Sequence, residues 1–266
     1  MRLIVVCMML AGLLSCDKVI DVKLPEYQPE LVVEMYIEHG QPLRCLLTES
    51  LPYTDTAINR PVNDAVVILS DGAWTDTLTY LINQDNATGR VFNYYHPRIM
   101  KGDSTKVYTL TVMGNGKKVT ANTTFSQRIL NIDSLIVKES MSEEDSFSVG
   151  LAFTDPAESE NYYRILIGKE ISHFESAPSD LRIGDISFNG KTFSYFSEPD
   201  FAINDTVTVK VYFLTPEHYE YLESAGNARR SNFNPFSQPG RIKSNVNGGL
   251  GIFTSIRYRQ EKIIIR

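Results

Sequence analysis

The feature that most constrains the fold is a two-residue hydrophobic period, which recurs in short runs that turn residues bring to a stop. Tyr108, Leu110 and Val112 alternate with Thr109 and Thr111, and Phe147, Val149, Leu151 and Phe153 alternate with Ser148, Gly150 and Ala152. Val207, Val209, Val211 and Phe213 repeat the pattern. Neighbouring side chains on a β-strand point to opposite faces, so this period suits a strand with one buried face and does not suit a helix. Asp71-Gly72 and Asn115-Gly116 stand between such runs, where a tight hairpin needs residues that accept positive φ.

Taken in order, the strand signals begin at Pro29. Leu31 to Ile37 and Leu43 to Thr48 flank a turn at His39-Gly40; Val62 to Leu69, Thr75 to Tyr80, Arg90 to Tyr95, Lys106 to Met113 and Lys117 to Phe125 follow. Some seven strands within about a hundred residues predict an immunoglobulin-like or transthyretin-like β-sandwich over 29–125. The pattern lapses over 126–131, read as a linker, and restarts at Ile132, so 132–266 is expected to be a second β-rich sandwich domain, irregular from Ile171 to Asp200. The fold class is therefore all-β, two β-sandwich domains. Thr215 as N-cap and Pro216 at the first helical position predict one short helix near 216–224, with Gly226 ending it. Asn247-Gly248-Gly249-Leu250-Gly251 leads into a strand, and its glycines permit backbone conformations or close approaches that a Cβ resists. Tyr and Phe, 14 and 13 in number, supply ample core material.

The N-terminus carries a separate message. After Met1 and Arg2, the apolar stretch Leu3 to Leu14 falls well short of the roughly 20 residues a membrane span requires. It ends in Leu13-Leu14-Ser15-Cys16, which resembles the bacterial lipobox, where the cysteine is thioether-linked to diacylglycerol before cleavage. Residues 1–15 are read as a lipoprotein signal peptide, Cys16 as the lipid attachment and mature N-terminus, and 16–28 as a tether. With Cys7 in the leader and Cys16 acylated, Cys45 has no partner in the chain and reads as a small buried hydrophobe. A net charge of −6 gives nucleic acid no electrostatic footprint.

Chemistry has no visible carrier. His39, His96, His173 and His218 are far apart, and no zinc-protease, Cys-x-x-Cys or nucleophile-elbow motif is present, so no catalytic, cofactor or metal residue is assigned. Glu217-His218 reads as the polar first turn of the helix rather than an acid–base pair. The glycines at 248–251 open a strand and not a helix, which is the wrong context for a phosphate cradle. Asn83, Asp85 and Asn86 read as a polar turn without the ligand series of an EF-hand. Trp74, Phe233 and Phe236 flank turns or loops and are the candidate ligand or partner contacts. Five triplets of Asp, hydroxyl, then apolar residue or Thr look like an O-glycosylation sequon of exported Bacteroidota proteins, which makes Thr56, Thr77, Ser104, Ser134 and Thr206 candidate modification sites.

Several local patterns occur together. Cys16-Asp17-Lys18-Val19-Ile20-Asp21-Val22, Leu31-Val32-Val33-Glu34, Leu47-Thr48-Glu49-Ser50 with Pro52-Tyr53, Val62-Asn63-Asp64-Ala65 and Asn247-Gly248-Gly249-Leu250-Gly251-Ile252-Phe253, in this order and spacing, resemble the Bacteroidota lipoproteins of domain-of-unknown-function family 4249. The resemblance implies an outer-membrane lipoprotein with an N-terminal Ig-like domain and an accessory role beside a TonB-dependent transporter, and it lends no catalytic residues. The expectation is a lipid-anchored, non-enzymatic accessory or binding subunit, with the surface and periplasmic faces of the membrane both open. A stand-alone adhesin or glycan- or peptide-binding module is the alternative, and a hydrolase with a site in the 171–200 or 232–249 loops is a third reading.

Overall fold

The computed structural model describes residues 27–52, 55, 60–84, 90–126, 130–141, 144–169, 171, 177, 179–232 and 240–266. The leader, Cys16, the tether as far as residue 26, Thr56, His173, Phe233 and Phe236 lie outside the described residues. The first strands are β1 (Leu31–Glu38), β2 (Pro42–Glu49), β3 (Arg60–Pro61), β4 (Val66–Ser70), β5 (Thr75–Gln84), β6 (Val91–Ile99), β7 (Val107–Gly114) and β8 (Lys117–Thr124). There follow β9 (Ser134–Glu139), β10 (Phe147–Thr154), β11 (Tyr162–Gly168), β12 (Ser179–Gly184), β13 (Thr192–Phe196) and β14 (Thr206–Leu214). A 3-10 turn (Asp185–Ser187), helix α1 (Pro216–Asn232) and the strands β15 (Leu250–Ile256) and β16 (Tyr258–Ile264) complete the described elements.

The chain is mostly β, as its alternation dictates. Leu31, Val33, Met35 and Ile37 of β1, Leu43, Cys45 and Leu47 of β2, and Tyr108, Leu110 and Val112 of β7 share one core, and the residues between them face outward. The first part of the chain, where one sandwich domain is expected, has its strands linked through β5. It forms one nine-stranded sheet in the order β15-β1-β2-β6-β5-β4-β7-β8, with β3 paired to β2. The long strand β5 pairs with β4 at one end and β6 at the other, and its register shifts between Tyr80 and Asn83, which lets the sheet roll. The roll brings β8 back beside the segment leading into β15. Thr120 N donates to Asn247 O at 3.0 Å, Asn247 N donates to Thr120 O at 2.8 Å, and Ser255 Oγ donates to Thr124 O at 2.7 Å, so the sheet is a nearly closed barrel.

The strand that nearly closes it, β15, comes from within 132–266 and runs parallel to β1, from Val32↔Leu250 to Glu38↔Ile256. A parallel pair needs a long crossover, and local turn signals reveal only hairpins. The glycine motif permits this pairing. Gly251 sits at φ +112°, and a Cβ there would lie 1.9 Å from Val33 O; at Gly249 it would lie 2.6 Å from Leu31 O.

With the strands between β8 and β15, and with β16 after them, the chain forms two smaller sheets, β13-β10-β9 and β12-β11-β14-β16. They share a core of Val149, Leu151 and Phe153 from β10, Tyr163, Ile165 and Ile167 from β11, and Val207, Val209 and Val211 from β14. The expected helix starts at Pro216, with Thr215 Oγ1 accepting from His218 N at 3.3 Å, but it runs on past Gly226 to Asn232. Gly226 is mid-helix because a neighbour needs the space. Arg182 Nη1 donates to Leu222 O at 2.7 Å, and a Cβ at 226 would stand 3.1 Å from that nitrogen.

Candidate functional site

Tyr36 faces away from the barrel core, as its place in the β1 alternation requires, yet it is buried. It is covered by a third apolar cluster at the seam between barrel and sheet pair, built from Leu166 of β11, Tyr212 and Leu214 of β14, Ile252 and Ile256 of β15, and Tyr219 and Leu222 of α1. Within the seam lies a cavity of about 30 Å³ lined by Tyr36, Arg90, Arg164, Tyr212, Leu214, His218, Leu222 and Ile256. The Tyr36 and His218 ring centres are 5.8 Å apart, and the Arg90 guanidinium carbon is 5.5 Å from the Tyr36 ring centre. Arg90 pairs with Glu34 at 3.2 Å; Arg164 binds Asp180 through Nε at 2.9 Å and Nη2 at 2.8 Å.

This environment sets the protonation states. Burial, helped by the Arg164 and Arg90 charges, holds the His218 pKa down to about 3, so the imidazole is neutral at pH 7. Burial and the Glu34 carboxylate push the Tyr36 phenol up to about 12, and burial raises Tyr212 as well. His218 Nδ1 is buried and has no hydrogen-bond partner.

Arg90 also borders a second feature on the outside of the barrel. The β2–β6 ladder is paired only from Pro42 to Cys45. Beyond it the strands part around buried Asn93, leaving a groove of about 460 Å³ lined by Glu34, Leu46, Thr48, Pro61, Ile82, Arg90, Val91, Phe92 and Asn93. Its apolar rim is bare: Ile82 and Val91 are 62% and 47% exposed.

The residues singled out from sequence lie elsewhere. Trp74 is half-buried against the barrel core, with the Arg98 guanidinium carbon 4.2 Å from its ring centre and Tyr108 at 6.4 Å, and it lines neither the groove nor the cavity. Thr77, Ser134 and Thr206 are exposed, on β5, β9 and β14, and Ser104 is half-buried in the turn before β7. Cys45 is wholly buried, and burial raises its thiol well above the ordinary range. His39 Nδ1 is held by Lys101 O at 2.7 Å, and His96 lies 3.4 Å from Asp76, whose carboxylate Arg98 also grips. Glu217 is exposed while His218 is buried, so helical geometry separates the two. Sequence reasoning missed Tyr36, Arg90, Asn93 and Arg164, which carry no motif and meet only through the fold.

Among the described residues no group of three or more His, Cys, Asp or Glu could hold a metal ion, and no helix is long and apolar enough to cross a membrane. No curated protein matches the chain in sequence. The model of one family, Domain of unknown function (DUF4249), matches residues 17–262, almost the whole chain, and the chain therefore belongs to the DUF4249 family.

Proposed function

We propose that this protein is a lipid-anchored, non-enzymatic subunit of the bacterial outer membrane, of the Bacteroidota type, which works beside a TonB-dependent transporter. The observation that carries the reading is Leu13-Leu14-Ser15-Cys16, placed directly after an apolar stretch too short to span a bilayer. Cys16 is the anchor in this reading. The barrel, next to the tether in sequence, and the paired sheets behind it form its two domains. The bare apolar groove between β2 and β6 is a surface suited to a protein partner.

A second reading, a stand-alone surface module that binds peptides, draws on the same groove, whose apolar walls and single Arg90–Glu34 pair suit an extended segment. One experiment separates the two. The intact lipidated protein is captured from detergent-solubilised outer membranes beside a Cys16→Ala control. Near-stoichiometric recovery of one TonB-type barrel with the lipidated form is the expected result; absence of any barrel above the control sinks the accessory reading and leaves the peptide-binding module to be screened directly.

A further inference from the structure

The seam cavity holds an atom that the described residues leave unmet. His218 Nδ1 is buried and has no hydrogen-bond partner, and buried polar atoms in folded proteins are met by protein, by water or by an ion. The lining decides between the last two. Arg90 and Arg164 bring guanidiniums, Tyr36 and Tyr212 bring phenols, and His218 brings its imidazole. No carboxylate is among the lining residues, because Glu34 and Asp180 meet the two arginines from outside the cavity. His218 also sits in the first turn of the 17-residue helix α1, the end of a helix that favours negative charge.

A water molecule here would have to place two protons with only phenol oxygens or an imidazole nitrogen to accept them, whereas an anion has none to place. Size narrows the class further. Since one water-sized particle requires roughly 10–15 Å³, a space of about 30 Å³ is of the size that suits a one-centre ion. We propose that the cavity binds a single halide-sized anion, chloride under physiological conditions, between His218, Arg90 and Arg164. Neutral His218 donates through Nδ1–H, and the two guanidiniums, each also paired with a carboxylate, flank the ion. The lining is drawn from β1, the approach to β6, β11, β14, α1 and β15, so the bound ion ties the barrel to the paired sheets. This site is independent of any membrane role.

Bromide reports on it directly. Crystals of the intact protein soaked in bromide should show an anomalous-scattering peak inside the cavity. The melting temperature should climb with bromide and stay level in gluconate of equal ionic strength. The Arg90→Gln variant, whose side chain is already 34% exposed and so tolerates replacement, should need about tenfold more bromide for the same shift. Cavity density without anomalous signal, together with equal melting in the two salts, identifies water and overturns the proposal. A peak unaccompanied by any bromide-specific melting shift marks an adventitious ion only and overturns it equally.

Discussion

Leu47 and Asn93 face each other across the gap between β2 and β6, and the Asn93 side chain makes both hydrogen bonds that a paired strand would otherwise offer. Leu47 N donates to Asn93 Oδ1 at 2.8 Å, and Asn93 Nδ2 donates to Leu47 O at 2.8 Å. The amide stands in for a backbone and holds the two strands apart, which opens the groove. Replacing it with leucine keeps the volume but leaves Leu47 N–H buried and unmet, while Leu47 O retains its bond from Val62 N at 3.1 Å. Asn93→Leu should therefore cost about 2 kcal/mol of stability. Urea unfolding measures it, and an unchanged midpoint would show that the amide is not what spaces the strands.

Gly251 leaves the least room for a side chain of the described glycines. Alanine there would adopt a strained φ of +112° and drive its methyl into the Val33 carbonyl of β1. Gly251→Ala should lose at least about 3 kcal/mol and yield little folded protein. Gly72 has positive φ too, but open space around it, and Gly72→Asn should stay within about 1 kcal/mol of wild type because asparagine tolerates that conformation. Comparable losses in both variants would place the requirement in φ alone and not in the β1–β15 approach.

His218 makes stability depend on acidity in a definite direction. Its ordinary pKa of 6.5 is lowered to about 3 in the folded protein, chiefly by burial. At neutral pH both folded and unfolded forms are uncharged there, and the group contributes nothing. As pH falls below the ordinary value the unfolded chain takes up a proton that the folded protein refuses, so stability drains away until the folded value is reached. In halide-free buffer, wild type should lose about 2 kcal/mol more than His218→Phe between about pH 6.5 and 4.5. Parallel acid profiles for the two proteins would contradict it.

The groove can be altered without touching the core. Ile82 is 62% exposed, so Ile82→Glu should leave stability within about 0.5 kcal/mol. The same change should abolish recovery of a co-purifying transporter if that surface is where the partner sits. Undiminished recovery would move the contact to another face.

Modification has its own readout. Thr77, Ser134 and Thr206 are exposed hydroxyls directly after aspartates, and protein purified from its native host should carry added glycan mass at two or more of them. Each alanine substitution at an occupied position should remove one increment from the intact mass; a mass with no glycan increment refutes the expectation.

What could be read from the sequence follows from how far apart the interacting residues are. Hairpins announce themselves locally, so β7 and β8 fall where Asn115-Gly116 and the flanking alternation put them, and Thr215-Pro216 marks the start of α1. Gly226 misled because the reason for it is Arg182, which reaches over from β12. The glycines at 248, 249 and 251 are visibly special, but nothing nearby names β1 as the strand they approach. The seam cavity was hidden for the same reason: Tyr36, Arg90, Arg164 and His218 are ordinary residues in four separate stretches. Asn93 carries no signal in the sequence, and its role depends on the Leu47 backbone that it meets.

The parallel pairing of β15 with β1 also sets an order of events during synthesis. The hairpins β1–β2 and β7–β8 draw on near neighbours and can form early, while β15 must wait until the intervening strands β9 to β14 and helix α1 have been synthesised. Through that interval β1 and β8 remain open edges with unpaired backbone groups, the kind of surface that recruits other chains. A chain that stops short of Leu250 would keep both edges and should aggregate or be degraded. The late strand thus works as a proof of completion, since the barrel shelters its own edges only after translation has passed the glycine motif.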